Sequence, residues 1–316
     1  MLGPRHDRSA DVPVTMTALA LLRAMRPHQW VKNVFVLAAL FFSLGAEGQP
    51  LTDLERALRV AHAFVAFCLG SSAIYLLNDV VDVERDRQHP TKRLRPIAAG
   101  QVGISTALVT AALCVGAALL LGQLATTELG SVTATVAVYM AINLAYSLRL
   151  KHIVIVDAFC IAAGFLLRVL AGGFAAAAPV SHWLLLCTLF LALFLALCKR
   201  QAEISLLGED RGRHRSILLE YTPAFLDQVT VVVAACAIVC YSLYTVSDET
   251  AEKFGDTRLV WTVPFVVFGL FRYLLLVQTR KAGGSPSRVL LGGDVPFVLN
   301  CLLWLATVTV MLFYTR

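Results

Sequence analysis

The feature that most constrains this chain is a succession of apolar segments, each long enough to cross a bilayer as a helix. Hydrophobic residues make up 58% of the chain and charged residues only 15%, which is the composition of a membrane protein. The sequence therefore predicts an all-α integral membrane protein with nine transmembrane helices, whose two ends lie on opposite sides of the bilayer. The predicted spans are roughly 28–46, 57–80, 103–122, 129–149, 152–173, 181–200, 226–247, 260–279 and 295–314.

The pattern leaves little room for a second domain. No long linker or large polar segment interrupts it, and the charged residues and proline before the first span do not form a cleavable signal sequence. We expect a flexible cytoplasmic N-terminal tail at 1–20 and a single nine-helix membrane catalytic domain at 21–316. The eight cysteines follow no metal-ligand spacing, so we interpret them as small apolar residues of the spans.

Lysine and arginine are distributed unevenly between the two sides of the predicted bundle. Twenty of the 27 lie before or early in the first span, or around the connections after spans two, four, six and eight. By the positive-inside rule this side faces the cytoplasm, so we expect a multi-pass cell (plasma) membrane protein whose N-terminus and active site are cytoplasmic. The net charge of +6 follows from topology and anion binding, and no nucleic-acid partner is expected. The opposite side carries Arg56, Arg59, Lys253, Arg258 and Arg316.

The acidic segment Asn78–Asp86 follows the second span and is the strongest candidate for chemistry. Its Asp79, Asp82 and Asp86 are spaced three and four residues apart and therefore share one face of a helix. Like charges on one stripe repel one another unless a cation lies between them. Carboxylate oxygens suit Mg²⁺, which takes waters and substrate phosphates as its other ligands. The spacing predicts a Mg²⁺ site, with Mn²⁺ as an alternative ion; the competing interpretation is a solvated, charge-mixed loop.

Further charged residues lie at the same ends of the predicted helices as the acidic segment. Charges in or beside membrane spans are costly, so each indicates a functional site. A metal at one side of a cavity and cations at others suit polyphosphate chemistry, because guanidinium forks and ammonium groups hold phosphates. The residues concerned are Lys199, Arg200 and Glu203 at the end of the sixth span, Tyr146 and Lys151 near the connection after the fourth, and Asp157 in the fifth.

Two arginines lie inside predicted spans and away from this cluster. Arg168 follows Asp157 by eleven residues, or about 16 Å of helix, so the two side chains cannot pair directly. Arg168 is expected towards the outer end of the fifth span, where snorkelling or lipid contact is its predicted role. Arg272 in the eighth span is ambiguous in the same way.

The pattern Asn-Asp-x-x-Asp-x-x-x-Asp after the second of nine spans resembles the UbiA superfamily of intramembrane prenyltransferases. The stretch from Arg95 to Gly100 and the Tyr146-to-Lys151 connection are also similar to that superfamily. Its members bind a prenyl diphosphate through two Asp-rich motifs and Mg²⁺ and transfer the prenyl group to an acceptor. The resemblance implies a UbiA-like helical bundle with a cytoplasm-facing active-site cavity.

The chain departs from the superfamily pattern where the second Asp-rich motif is expected. There it carries Lys199-Arg200-Gln201-Ala202-Glu203, which suits an anionic substrate better than a second Mg²⁺. This replacement, the run from Arg26 to Asn33 and the run from His89 to Arg93 resemble the decaprenyl-phosphate phosphoribosyltransferases of actinobacterial cell-wall arabinan synthesis. That resemblance implies a Mg²⁺-dependent pentosyltransferase. Such an enzyme moves the 5-phosphoribosyl group of phosphoribosyl diphosphate (PRPP) to a polyprenyl (decaprenyl) phosphate and releases diphosphate.

The resemblance also assigns roles to residues. Mg²⁺ would bind Asp79, Asp82 and Asp86, which with Lys199 form the expected catalytic set. Asn78 would orient the cluster, and the lipid phosphate would lie at Lys151, Lys199 and Arg200 in a membrane groove. Expected partners are PRPP, the polyprenyl phosphate and the bilayer, and the oligomeric state is left open, a homo-oligomer included. The other candidate substrate-binding residues are Lys32, Asn33, Arg85, Lys92, Arg93, Arg95, Tyr146, Asp157 and Glu203.

Two alternatives remain at this point. A prenyltransferase acting on an aromatic or quinone-precursor acceptor would need a second carboxylate cluster near residue 200, where the chain offers Glu203, Glu209 and Asp210. A transporter or lipid flippase would be expected to show broken helices at mid-membrane and repeated halves. Here the charges concentrate at one set of helix ends, which favours a one-sided catalytic site over a transport path.

Overall fold

A computed structural model describes residues 14–43, 54–207, 220–254, 257–280 and 294–313 of the chain. Every regular element in these ranges is a helix, as predicted. Residues 1–13 of the predicted tail lie outside the described ranges, as do Glu209 and Asp210, whereas residues 14–20 form the first turns of a helix.

The helices are numbered here in chain order. Short 3₁₀ segments at Pro27–Phe35, Lys92–Leu94, Leu150–His152 and Arg258–Thr262 lie between them. The α-helices are α1 Val14–Met25, α2 Val36–Ser43, α3 Leu54–Val81, α4 Val83–Gln88, α5 Ile104–Leu124, α6 Val132–Leu148, α7 Val156–Ala175, α8 His182–Leu207, α9 Pro223–Val246, α10 Asp248–Phe254, α11 Val263–Arg280 and α12 Val295–Phe313.

Six of the described helices are long and apolar enough to cross a membrane, so the chain is a multi-pass membrane protein. Two further apolar helices, Val132–Leu148 and Val295–Met311, are shorter. Six of the nine predicted spans are therefore supported, and the full count of nine is not confirmed. The six are Leu54–Val81, Ile104–Leu124, Val156–Ala175, His182–Ser205, Pro223–Val246 and Arg258–Thr279.

The first predicted span, 28–46, is not one continuous α-helix. Arg26 adopts a left-handed backbone conformation with φ of 55°, and Pro27 then begins a 3₁₀ helix that becomes α-helical only at Val36. Side chains three apart lie on one side of a 3₁₀ helix, which here turns Asn33 and Val36 into the bundle. The predicted span is thus helical in its described part but begins as a 3₁₀ helix, because the apolar pattern does not distinguish the two helix types.

Helix α7 contributes to two core clusters of the described residues. Ala158 and Ala162 in its first turns share one cluster with residues of α8, α9 and α11, whereas Ala171 and Ala175 in its last turns share another with residues of α2, α3 and α6. Gly172 allows the closest approach, since a Cβ built there would lie 1.9 Å from the Val36 carbonyl oxygen. Small residues at helix contacts let membrane helices approach closely. The first turn of α7 carries Asp157, so this packing also positions a predicted site residue.

Candidate active site

The acidic segment spans the end of α3 and the whole of the short helix α4. The α-helix is interrupted at Asp82, but backbone hydrogen bonds from Asp82 to Asn78 and from Asp86 to Asp82 keep the four-residue spacing. The predicted common face therefore persists across the break. Asp79 and Asp86 are each 2% exposed, whereas the Asp82 side chain is 27% exposed.

Two arginines supply the cations that the spacing of the aspartates requires. The Nη1 atom of Arg95 donates to Asp79 Oδ1 at 3.0 Å and to Asp86 Oδ2 at 2.6 Å, so two carboxylates converge on one nitrogen. Arg26 donates to the same Asp79 oxygen from Nη2 at 2.5 Å. Arg95 was predicted to grip phosphate, and Arg26 was not assigned a role. The left-handed conformation of Arg26 brings it to Asp79 from 53 residues away, a contact that no local pattern indicates.

Lys151 reaches the acidic segment from the connection between α6 and α7. Its Nζ lies 3.8 Å from Asp82 Oδ2, and Arg85 Nη1 lies 3.7 Å from Asp82 Oδ1. Both are long ion pairs, so Asp82 is the least tightly held of the three aspartates. The predicted residues Arg85, Lys92 and Arg93 have exposed side chains on the same segment, and Asn78 is partly buried at the end of α3.

Arg200 lies at the centre of a second cluster, which we name the buried arginine network: Arg200, Asp157, Glu203, Tyr146 and Tyr221. The Arg200 side chain is 1% exposed and donates from Nε to Asp157 Oδ2 at 2.7 Å and from Nη1 to Glu203 Oε2 at 2.6 Å. Its Nη2 lies 3.4 Å from the Tyr146 hydroxyl. The structure thus brings four predicted residues together, in a buried arrangement and not on an open surface.

The fifth member of this network, Tyr221, is not among the site residues predicted from the sequence. Its fully buried hydroxyl donates to Asp157 Oδ1 and accepts from the Ile155 N–H, both at 2.7 Å. Burial raises the pKa of Tyr221, and the hydrogen bond to Asp157 raises it further, so the hydroxyl keeps its proton at neutral pH. A helix start at Thr222-Pro223 does indicate a buried residue just before the cap, but not its partners.

Lys199 and Lys32 are the more accessible cations near the buried arginine network. Lys199 is 42% exposed, and its Nζ lies 3.9 Å from Glu203 Oε1. Lys32 is partly buried and lies within electrostatic reach of Lys199, Arg168 and Arg26. Within the described residues no carboxylate oxygen lies within 4.0 Å of the Lys32 ammonium, and its neighbouring charges are the cations Lys199, Arg168 and Arg26.

Arg168 is inside the bundle, which corrects the expectation that it snorkels towards lipid. Its side chain is 6% exposed and donates to Asn33 Oδ1 at 2.8 Å, to the Gly164 carbonyl at 2.7 Å and to the Tyr139 hydroxyl at 3.0 Å. Asn33 is fully buried, and both ends of its side-chain amide have a partner: Oδ1 accepts from Arg168, and Nδ2 donates to the Cys68 sulfur. Arg272, which the sequence left ambiguous, forms two hydrogen bonds with the Asp294 carboxylate, from Nε at 3.0 Å and from Nη2 at 2.9 Å.

Residues 32–292 match the UbiA prenyltransferase family. The chain belongs to this family. It is 38% identical over 302 residues to the decaprenyl-phosphate phosphoribosyltransferase of Mycolicibacterium smegmatis, with 93% of each chain covered. It is also 38% identical over 296 residues to the protein of the same name from Corynebacterium glutamicum, covering 93% of this chain and 87% of the relative.

Solved structures confirm the UbiA fold. The structure of a UbiA homologue from Archaeoglobus fulgidus bound to GPP and Mg²⁺ superposes with a TM-score of 0.69. The match covers 93% of this chain and 99% of the other at 18% identity, so it establishes the helical architecture alone. The predicted family and the all-helical UbiA fold are therefore confirmed, whereas the nine spans are not.

The acidic segment of this UbiA-family chain fits a divalent ion by its donor chemistry. In the part of the chain that the structure describes, no three His, Cys, Asp or Glu side chains are grouped closely enough to form a ready metal site. However, the Asp79 and Asp86 carboxylates already converge on one cation, the Arg95 guanidinium. The more exposed Asp82 has only long ion pairs. Mg²⁺ commonly takes one or two carboxylates and completes its shell with waters and substrate phosphates. The residues present are sufficient for that mode of binding.

An open cavity of about 860 Å³ lies at the other end of the bundle, lined by residues that include Glu55, Arg59 and His62. Glu55 and Asp79 both belong to α3 and are separated by about 36 Å of helix. This cavity is therefore remote from the acidic segment. The cytoplasm-facing cavity that the resemblance implied is not confirmed in the described residues.

Proposed function

We propose that this UbiA-family protein transfers the 5-phosphoribosyl group of PRPP to decaprenyl phosphate or a similar polyprenyl phosphate, releasing diphosphate. The observation that carries the proposal is the cluster on α8 where a second Asp-rich motif is expected. There Lys199 is accessible, and the adjacent Arg200 is fully paired inside the bundle. The relatives that match almost the whole chain are named decaprenyl-phosphate phosphoribosyltransferases, which supports the same reaction.

The acidic segment is the proposed PRPP site. Asp79, Asp82 and Asp86 would hold Mg²⁺, with Mn²⁺ as an alternative ion. When bound, the ion would neutralise the departing diphosphate. Arg95 bridges two of the aspartates, so it can pass from them to a phosphate as the carboxylates take up the metal. The exposed Arg85, Lys92 and Arg93 are proposed ligands of the remaining phosphate charge, and Asn78 is proposed to orient the cluster.

The lipid phosphate is proposed to bind between Lys151, Lys199 and Lys32. Lys151 approaches the acidic segment, Lys199 approaches the buried arginine network, and Lys32 lies within electrostatic reach of Lys199. Arg200 and Asn33 were expected to contact substrate, but their buried hydrogen bonds support a positioning role instead. Arg200 would place Lys199 through Glu203, and Asn33 would hold Arg168 beside Lys32.

The chemical step needs no general base. A phosphate monoester is already anionic at neutral pH, so its oxygen can attack the anomeric carbon of the ribose directly. One bond forms between the lipid phosphate oxygen and the anomeric carbon, the bond from that carbon to the diphosphate breaks, and a single displacement inverts the carbon. The side chains contribute by positioning two polyanions and offsetting their mutual repulsion.

Membrane orientation is part of the same proposal. We propose nine spans in one domain from about residue 21, the acidic segment in the cytoplasm and the bundle in the plasma membrane. Cytoplasmic PRPP could then reach the aspartates directly. The uneven distribution of lysine and arginine supports this orientation. The product would serve cell-wall arabinan synthesis in the branch that the chain resembles.

A donor comparison tests the proposal. Purified protein in detergent receives Mg²⁺, a polyprenyl phosphate and radiolabelled PRPP, and lipid is then extracted; a parallel reaction contains a prenyl diphosphate and an aromatic acceptor. We expect label from PRPP in the organic phase, its loss with EDTA, and no prenylated product. Consumption of prenyl diphosphate without lipid labelling from PRPP would assign the protein to the aromatic prenyltransferases instead.

A further inference from the structure

Tyr221 occupies a position that the proposed reaction does not yet explain. It lies just before α9, yet its hydroxyl reaches the junction between the Lys151 connection and α7. The side chain is 0% exposed and is one of the largest fully buried side chains in the described residues. A buried hydroxyl with both a donor and an acceptor partner is fully committed to this junction.

The junction itself is a strained turn. Ile155 has φ of 70° and ψ of −46°, and the Val156 N–H donates to the Val154 carbonyl at 2.8 Å. These values define a γ-turn with positive φ, the rare and strained form. A β-branched residue in this conformation is a genuine outlier, and such strain persists only where the surroundings enforce it. The Tyr221 hydroxyl, which accepts the Ile155 N–H, is the side-chain contact to the backbone of this turn, beside the hydrogen bonds that the Ala158 and Phe159 N–H groups donate to the Ile155 carbonyl.

The same hydroxyl also fixes Asp157, and through it the buried arginine network. Asp157 presents one carboxylate oxygen to Tyr221 and the other to Arg200, each at 2.7 Å. Arg200 then bonds Glu203, whose other carboxylate oxygen lies 3.9 Å from the Lys199 ammonium. A continuous path of polar contacts therefore runs from Tyr221 to Lys199.

The turn fixes a second lysine as well. Lys151 lies four residues before Ile155, in the short 3₁₀ segment that leads into the turn, and its ammonium approaches Asp82. Holding the turn therefore also limits where Lys151 can lie. One hydroxyl connects both ammonium groups that are proposed to receive the lipid phosphate.

We propose that Tyr221 is a positioning residue of the transfer reaction, whose hydroxyl holds the γ-turn and Asp157 so that Lys151 and Lys199 converge on the lipid phosphate. The inference rests on the proposed function for the identity of that substrate. Tyr221 acts through these residues and does not touch the reacting atoms. Its effect should therefore appear in binding of the lipid phosphate more than in binding of PRPP.

The test compares Tyr221→Phe with Tyr273→Phe in purified protein. Both variants lose one hydroxyl from a buried ring, but the Tyr273 hydroxyl has no hydrogen-bond partner in the described residues and so provides a matched control. We expect Tyr221→Phe to raise the KM for polyprenyl phosphate by about tenfold and to change the KM for PRPP by less than about twofold. Tyr273→Phe should change neither constant. Equal constants in the two variants would overturn the inference.

Two further measurements keep the inference falsifiable. If Tyr221→Phe does not fold, the comparison is repeated with Ile155→Gly, because glycine adopts a positive φ without strain. In that background Tyr221→Phe must still raise the KM for the lipid phosphate; an unchanged KM contradicts the positioning role. If the wild type shows no transfer from PRPP, the proposed function fails separately. The hold of the Tyr221 hydroxyl on the γ-turn and Asp157 is then tested by the melting temperature, which must be lower for Tyr221→Phe than for Tyr273→Phe.

Discussion

Among single residues, the aspartates of the acidic segment differ in how firmly they are held. Asp79 and Asp86 are buried and paired with arginine at short distances, whereas Asp82 is partly exposed and has only long ion pairs. Neutralising Asp79 would leave Arg26 without its carboxylate partner, and neutralising Asp86 would leave Arg95 with Asp79 alone, so both changes disturb a largely buried group of ion pairs and should destabilise the fold. Asp82 can be neutralised at lower cost than the other two aspartates, because it is the more exposed and both of its ion pairs are long. It is therefore the position where function can be separated from folding.

Asp82→Asn should abolish turnover while the protein remains folded. We expect activity to fall by about a hundredfold or more, because a proposed ligand of the metal is lost, with a melting temperature close to that of the wild type. The matched control is Glu84→Gln, which removes the same charge from an exposed residue of α4 that pairs with Arg87. Activity in Asp82→Asn equal to that of Glu84→Gln would exclude Asp82 from the site.

Lys199→Ala should distinguish the two substrates. Lys199 is accessible and is proposed to bind the lipid phosphate, so its loss should raise the KM for polyprenyl phosphate by about tenfold or more. The KM for PRPP should change much less, since the acidic segment is intact. Initial rates at varied concentrations of each substrate give both constants. A larger effect on PRPP than on the lipid would reverse the proposed assignment of the two sites.

Among the helices, α7 positions several residues of the proposed site. Its first turn supplies Asp157, its middle supplies Arg168, and its last turns contact the backbone of the first span. The contact at Gly172 is so close that no other side chain fits without a shift of the backbone. Packing of this helix therefore sets the relative positions of Asn33, Arg168 and Lys32.

Gly172→Ala should destabilise the bundle. Its Cβ would clash with the Val36 carbonyl, and forced overpacking costs about 1–3 kcal/mol or more. Gly116→Ala in α5 is the matched control, because nothing lies within 4 Å of a Cβ built there and alanine favours a helix. Thermal unfolding in detergent measures both changes. A melting temperature of Gly172→Ala at or above that of Gly116→Ala would contradict the close packing described.

How far the sequence predicts the site also depends on the element concerned. The spacing of Asp79, Asp82 and Asp86 correctly required a cation between them, because that inference is local to one segment. Arg26 and Tyr221 escaped prediction because their partners lie 53 and 64 residues away and are brought together by helix packing. Arg168 was misplaced because position along a span does not tell which face of the helix points inward.

For the molecule as a whole, the proposed reaction depends on which side of the membrane carries the acidic segment. Acidic and basic residues of the proposed site come from the ends of α3, α6 and α8 and the starts of α4 and α7. All of these ends must face one compartment for PRPP and the lipid phosphate to meet. An odd number of spans and a cytoplasmic N-terminus satisfy this arrangement and put the C-terminus outside.

Reporter fusions test this topology directly. A fluorescent protein fused after Arg316 should remain dark in a bacterial host, and alkaline phosphatase fused there should be active, because the nine-span arrangement exports the C-terminus. Fusions at the N-terminus should show the opposite behaviour for the fluorescent protein. A fluorescent C-terminal fusion would show that the number of spans is even and would contradict the proposed nine.

Two labels on the same donor test phosphoribosyl transfer itself. PRPP labelled at the 5-phosphate and PRPP labelled in the diphosphate are incubated separately with the purified protein, Mg²⁺ and a polyprenyl phosphate. We expect the 5-phosphate label to enter the lipid fraction and the diphosphate label to remain in water as free diphosphate, since the bond at the anomeric carbon is broken. Diphosphate label in the lipid, or neither label there, would contradict phosphoribosyl transfer.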